Sequence, residues 1–188
     1  TSFDGNGDIF VNEAVSWTAS GSATTLTLNA VRDVNINAAV TTDTGNLVAC
    51  CGRDVNVNAV ITTTNGSVLL SGGRNVNIDA VMTTTDGNIT LCAAENLTVS
   101  ERITLTRGSS IAGESLDLPL GLVLSAGYGG TGPGTTGGTL TLAPMTPDVV
   151  VVSGPNAPVT ILYNPVSYAT PTDYSGDLTL TDSVVTQR

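Results

Sequence analysis

The sequence predicts an all-β fold, a parallel β-helix (β-solenoid) with about 21 residues per rung. Three observations lead there. Three segments align without a gap: "RDVNINAAVTTDTGNLVACCG" from Arg32, "RDVNVNAVITTTNGSVLLSGG" from Arg53 and "RNVNIDAVMTTTDGNITLCAA" from Arg74. Within each, apolar and polar residues alternate, as where Val55 and Val57 interleave with Asn56 and Asn58; this is the period of a half-buried strand. No stretch sustains a helical period, and an all-β unit this short cannot bury its own core, so the units must stack.

Taken in order, the chain opens with a looser copy, "GDIFVNEAVSWTASGSATTLTLNAV" from Gly7, that carries about four extra residues at a turn. The three close copies follow. Their inward columns are expected to be Val34/Val55/Val76, Ile36/Val57/Ile78, Leu47/Val68/Ile89 and Ala49/Leu70/Leu91. The outward columns are expected to be Asn35/Asn56/Asn77 and Asn37/Asn58/Asp79, whose stacked amides form hydrogen-bonded ladders along the axis. Asn65–Gly66 and Asp86–Gly87 are turn dipeptides that tolerate positive φ. A fifth copy starts at Glu95, and "GLVLSAG" matches "SVLLSGG". Gly127 to Gly138 reads as a glycine-rich loop inserted at a turn. "TLTLAP", "VVVV", "VTILY" and "DLTLT" read as further strands, and Tyr163 to Gly176, rich in Pro and Tyr, as a segment that covers or ends the stack. The division expected is rungs over 1–143 and a C-terminal capping or docking β segment over 144–188. Six to eight rungs make a rod roughly 30–40 Å long.

Composition narrows the function. The chain has 188 residues and a net charge of −10, with 12% charged and 4% aromatic residues. Histidine and lysine are absent; the basic residues are Arg32, Arg53, Arg74, Arg102, Arg107 and Arg188. A phosphate backbone needs clustered Lys and Arg, so no nucleic-acid partner is expected. No run reaches the length of a membrane helix, and none is expected to insert. The acidic balance suits an extracellular surface. Starting on Thr1 rather than Met, the chain reads as a processed or excised piece of a larger precursor.

Several constellations have residue types that could carry chemistry. Cys50, Ser71 and Cys92 share a column, with Cys50 and Cys92 two rungs or ~9.6 Å apart. That is too far for a disulfide, and without histidine there is no zinc set. The three cysteines therefore read as small side chains, with Cys50 or Cys92 as a candidate intermolecular thiol. Asp4, Asn6 and Asp8 have the Asp-x-Asn-x-Asp opening of a calcium loop, but Ile9 and Val15 stand where glycine and the bidentate glutamate belong; no cofactor is expected beyond that weak calcium motif. The Thr42/Thr63/Thr84 column and its neighbours could form a flat, ice-binding face, but they read as leading into turns rather than lying mid-strand. Catalysis is not expected. Asp33 and Asp54 stack like glycosidase carboxylates, yet they belong to a repeated Arg-Asp grammar, and no His or Lys is present for proton transfer. The arginine column is expected to pair with Asp33, Asp54 and other flanking carboxylates.

The stretch "GRDVNVNAVITTTNGSVLLSGGRNVNIDAV" resembles the coils of filamentous-haemagglutinin-like exoproteins, exported by two-partner secretion, over about Gly7 to Leu118. "YNPVSYATPTDYSGDLTL" is similar to a segment seen after such coils. The resemblance implies a right-handed β-helix, secretion to a bacterial surface or matrix, and adhesive or fibre-forming roles. The resulting expectation is a non-enzymatic rod that associates head to tail with copies of itself. The alternative is a monomeric module binding host glycan or protein through the glycine-rich loop and Tyr163, Tyr168 and Tyr174.

Overall fold

The structure, a computed structural model, describes residues 6–108, 116–128, 138–165, 167 and 169–188. Its strands are laid down in threes. The first rung is β1 (Ile9–Val11), β2 (Val15–Thr18) and β3 (Thr24–Ala30). The second is β4 (Val34–Ile36), β5 (Val40–Asp43) and β6 (Gly45–Cys51), and the third β7 (Val55–Val57), β8 (Ile61–Thr64) and β9 (Val68–Gly72). β10 (Val76–Ile78), β11 (Met82–Thr85) and β12 (Ile89–Ala93) form the fourth, and β13 (Leu97–Val99), β14 (Ile103–Thr106) and β15 (Leu122–Ala126) the fifth. β16 (Leu140–Leu142), β17 (Val150–Ser153) and β18 (Val159–Leu162) form the sixth, and β19 (Leu178–Thr181) and β20 (Val185–Gln187) are the last strands described.

The first strand of each rung joins sheet A, the second sheet B and the third sheet C, so strands stack in chain order in a solenoid-like arrangement. Among the described residues sheet A has six strands and sheets B and C seven, all paired in parallel. β15 pairs with β12, which pairs with β9, so "GLVLSAG" falls in the same column as "SVLLSGG", two rungs on. The expected strands at "TLTLAP", "VVVV", "VTILY" and "DLTLT" are present, and beyond them β20 was not foreseen. The strands after residue 143 extend sheets B and C, while sheet A ends at β16 among the described residues.

Register shows how the sequence does this. Ile9 lies opposite Val34 and Val15 opposite Val40, whereas Thr24 lies opposite Gly45. The extra residues of the looser first copy therefore sit between β2 and β3. From β4 to β14 every step is the 21-residue repeat: Val34, Val55, Val76 and Leu97 stack in one column. All four expected inward columns are fully buried. They merge with residues of all three sheets into one core. Each buried Val, Leu or Ile contributes roughly 1.5–3 kcal/mol, so the columns carry the fold.

The turn between the second and third strands depends on its dipeptide. Asn65 and Asp86 take φ of 50°, which suits Asn and Asp. Gly66 and Gly87 that follow are needed for another reason: a Cβ on either would stand 1.9 Å from the carbonyl oxygen of the glycine one rung below.

Candidate functional site

No single cavity dominates the described residues; the recurring polar structure is a set of ladders running along the axis. The first uses the residue after each arginine. Asp8 Oδ1 accepts the N–H of Asp33 (3.1 Å), Asp33 Oδ1 that of Asp54 (3.1 Å), and Asp54 Oδ1 that of Asn75 (3.2 Å). Asn75 and Asn96 continue the chain to the N–H groups of Asn96 and Thr139, each at 3.2 Å. Arg32, Arg53 and Arg74 each reach back to the carboxylate one rung below. Arg32 Nε lies 3.5 Å from Asp8, Arg53 Nη2 2.9 Å from Asp33, and Arg74 pairs with both oxygens of Asp54, its Nε at 2.8 Å. The Arg74 guanidinium beside Asp54 holds that carboxyl below the usual carboxylate range, against the opposing effect of burial and with help from the Asn75 N–H. The arginines are about two-fifths exposed, so the ion pairs themselves add little; the backbone N–H bonds to the carboxylates add more.

A second ladder runs along the outer face of sheet A. Asn56 Nδ2 donates to Asn35 Oδ1 at 2.9 Å, and Asn77 Nδ2 to Asn56 Oδ1 at 2.8 Å. Beside it Asn58 donates to Asn37 at 2.8 Å and Asn37 to Asn12 at 2.9 Å. A third ladder, which sequence reasoning missed, lies buried where β5, β8 and β11 turn into sheet C. The Ser67 N–H donates to Asn46 Oδ1 (2.9 Å), the Asn88 N–H to Ser67 Oγ (3.0 Å), and the Gly121 N–H to Asn88 Oδ1 (2.9 Å). Arg107, fully buried, donates to the Gly87 carbonyl (3.0 Å) and to Asn88 Oδ1 (2.6 Å) on the same column. The signal was present: a short polar residue recurs just after each turn glycine, and Asn and Ser side chains bond nearby backbone readily.

The cysteines lie as the repeat places them. Cys50, Ser71 and Cys92 are successive partners on sheet C. All three thiols, including Cys51, are free and half-buried. Burial pushes each of them up, which keeps them protonated and weakens them as nucleophiles. Of the calcium-like residues, Asp4 lies outside the described residues; Asn6 Oδ1 accepts the Asp8 N–H at 3.0 Å, and Asp8 serves Asp33 and Arg32 as above.

The aromatic candidates separate. Tyr168 and most of the Gly127–Gly138 loop lie outside the described residues. Tyr174, expected at a contact surface, is instead buried at 6% exposure, its hydroxyl donating to the Leu140 carbonyl (2.9 Å). Burial, then the neighbouring Tyr163, pushes its phenol up to about 12. The two rings meet edge to face with centroids 5.1 Å apart. Tyr163 stays partly exposed, donates to the Thr172 carbonyl (2.7 Å), and lines an open cavity of about 410 Å³ with Pro165, Pro171 and Asp173.

The threonine expectation needs correction on both counts. Thr42, Thr63 and Thr84 point inward and are 2%, 0% and 0% exposed. The alternation is set by Val40, Ile61 and Met82, which enter the core, so the residue two places on enters it as well. Thr63 is accommodated by donating to the Gly66 carbonyl and by contact with Thr84 Oγ1, each at 3.0 Å. The flanking threonines face outward, and they lie within strands β5, β8 and β11 rather than in the turns that follow.

No family model matches the chain, and neither a curated protein nor a solved structure does.

Proposed function

We propose that the chain is a non-enzymatic module of a right-handed, closed β-solenoid of the filamentous-haemagglutinin-like kind, secreted to a bacterial surface or matrix, where copies stack end to end into a fibre. Parallel strand crossovers are right-handed in nearly every known case. The observation that carries association is the state of the first rung. Its inward residues Ile9, Val15, Leu26 and Leu28 are only partly buried, while their column partners one rung on, Val34, Val40, Leu47 and Ala49, are fully so. Among the described residues β1, β2 and β3 are each paired on one side only. Such an edge is a template for another strand, and the arginine and aspartate ladder offers a polar continuation in register. Against catalysis stands the engagement of Asp33 and Asp54, whose oxygens already hold backbone N–H groups and arginines.

Sedimentation velocity and negative-stain microscopy across a concentration series test this reading. Association into rods is expected, and Leu26→Lys should abolish it while circular dichroism still shows the folded β-sheet, at a melting temperature lowered by the lost packing of an inward residue. Monodisperse monomers at every concentration overturn it. A second reading, capture of a host glycan or protein, draws on the cavity beside Tyr163.

A further inference from the structure

The outer face of sheet B differs from the other two. Its strands put two side chains each toward solvent, in two columns. One column is Ser16, Thr41, Thr62, Thr83, Thr104, Val151 and Thr179; the other is Thr18, Asp43, Thr64, Thr85, Thr106, Ser153 and Thr181. Ten of these fourteen positions are threonine and two are serine. None is buried. The strand propensity of threonine does not account for this, because the same fold elsewhere chooses otherwise. Outward positions on sheet A are Phe10, Asn35, Asn56, Asn77, Thr98 and Thr141; on sheet C one column mixes Thr27, Thr90, Thr160 and Thr186 with Val48, Leu69 and Val123, and the other, from Asn29 through Cys50 to Leu162, has no threonine.

We infer that the threonine face of sheet B binds the surface of an ice crystal. The face is a two-dimensional grid, with ranks ~4.8 Å apart along the axis and columns ~6.6 Å apart across the strands. It runs for about 29 Å over seven strands. In a chain of net charge −10 Asp43 is the one charged residue among the fourteen positions, with the Asp148 carboxylate beside Thr179. Its hydroxyls are little used by the protein. Ser153 donates to Thr106 (3.2 Å) and Thr179 to Asp148 (2.7 Å), and the other threonines of the grid make no hydrogen bond to a described residue. Each hydroxyl can both donate and accept, as a lattice water does. The β-branched side chain is stiff at χ1, so the grid is ordered before anything binds and little entropy is lost on contact. Many weak contacts in register then act as one multivalent contact.

The same features disfavour other occupants. Polyanions need cations, and the face has none. Sugar rings pair with aromatic faces, and no grid position is aromatic; Trp17, at an inward register position opposite Thr42, reaches only the open cavity of about 440 Å³ at the first-rung end of the face. Protein partners are anchored by Trp, Tyr and Arg, which the grid lacks. The inference is independent of end-to-end association, since the ends of the stack take no part.

Thermal hysteresis and ice-crystal shaping by the purified chain test it, with folding followed by circular dichroism. The wild type is expected to facet crystals and hold a freezing-point gap. Thr83→Tyr at the grid's centre should lose most of that gap, as should Thr106→Lys at an exposed position chosen in case the first variant does not fold. Thr98→Tyr on sheet A should keep it. A folded wild type that neither shapes ice nor shows hysteresis overturns the inference. So do folded Thr83→Tyr and Thr106→Lys variants that keep wild-type activity, or Thr83-dependent retention on crystalline cellulose or chitin without any effect on ice.

Discussion

From β4 to β14 each rung copies the last, whereas beyond Thr106 only the core does. In the regular block Asp, Arg, Asn and Ser columns run alongside the apolar ones, and each polar group meets its counterpart 20 or 21 residues on. In the later block Leu97 pairs with Leu140 and Ile103 with Val150, so segments of different length intervene at the turns. The inward columns run on through those insertions; two of the polar ladders cross one insertion, from Asn96 to Thr139 and from Asn88 to Gly121, and end there among the described residues. The apolar columns and the backbone pairing thus persist through the later rungs, while the polar ladders are fullest where the repeat is strict.

The largest test of that difference is steric. Gly66→Ala would place a Cβ 1.9 Å from the Gly45 carbonyl oxygen, and a loss of about 3 kcal/mol is expected in urea unfolding. Gly176→Ala in the later block, where a Cβ meets nothing within 4 Å, should stay within about 0.5 kcal/mol. Equal losses would mean the two blocks pack alike.

A smaller effect separates the blocks by acid. The folded Asp54 carboxyl lies below its unfolded value. Its contribution is therefore present above about pH 4 and is lost as pH falls through the folded value. Asp54→Ala, which strands Arg74 and the Asn75 N–H, should cost about 2 kcal/mol at neutral pH. It should also flatten the fall in melting temperature below pH 4.

Alkali should find the other block. The Tyr174 phenol is raised to about 12 in the folded chain. The stability it provides is present below about pH 10 and is lost as pH rises toward the folded value. Tyr174→Phe should cost about 1 kcal/mol and remove that part of the alkaline loss, as melting temperatures from pH 9 to 12 would show.

The legibility of the sequence follows the same division. Inward columns such as Ile36/Val57/Ile78 and the asparagine positions could be read directly, because an uninterrupted period places a residue without knowledge of its neighbours. The four-residue excess of the first copy could be read for the same reason. The inward position of Thr63 could not, because its polarity suggests solvent and its partners are a backbone carbonyl and the threonine one rung on. The role of Asp33 was half legible: its arginine was foreseen, but a bond to the next rung's N–H depends on side-chain direction. The burial of Tyr174 depends on a fold-back onto Leu140 that no period announces.

The arginine and aspartate ladder also has a direction. Asp8, Asp33 and Asp54 accept from the rung that follows and never from the one before. A chain folding as it emerges, amino end first, therefore meets an acceptor already in place at each step. Each carboxylate thus fixes the position of the rung that follows it, which ties consecutive turns in register.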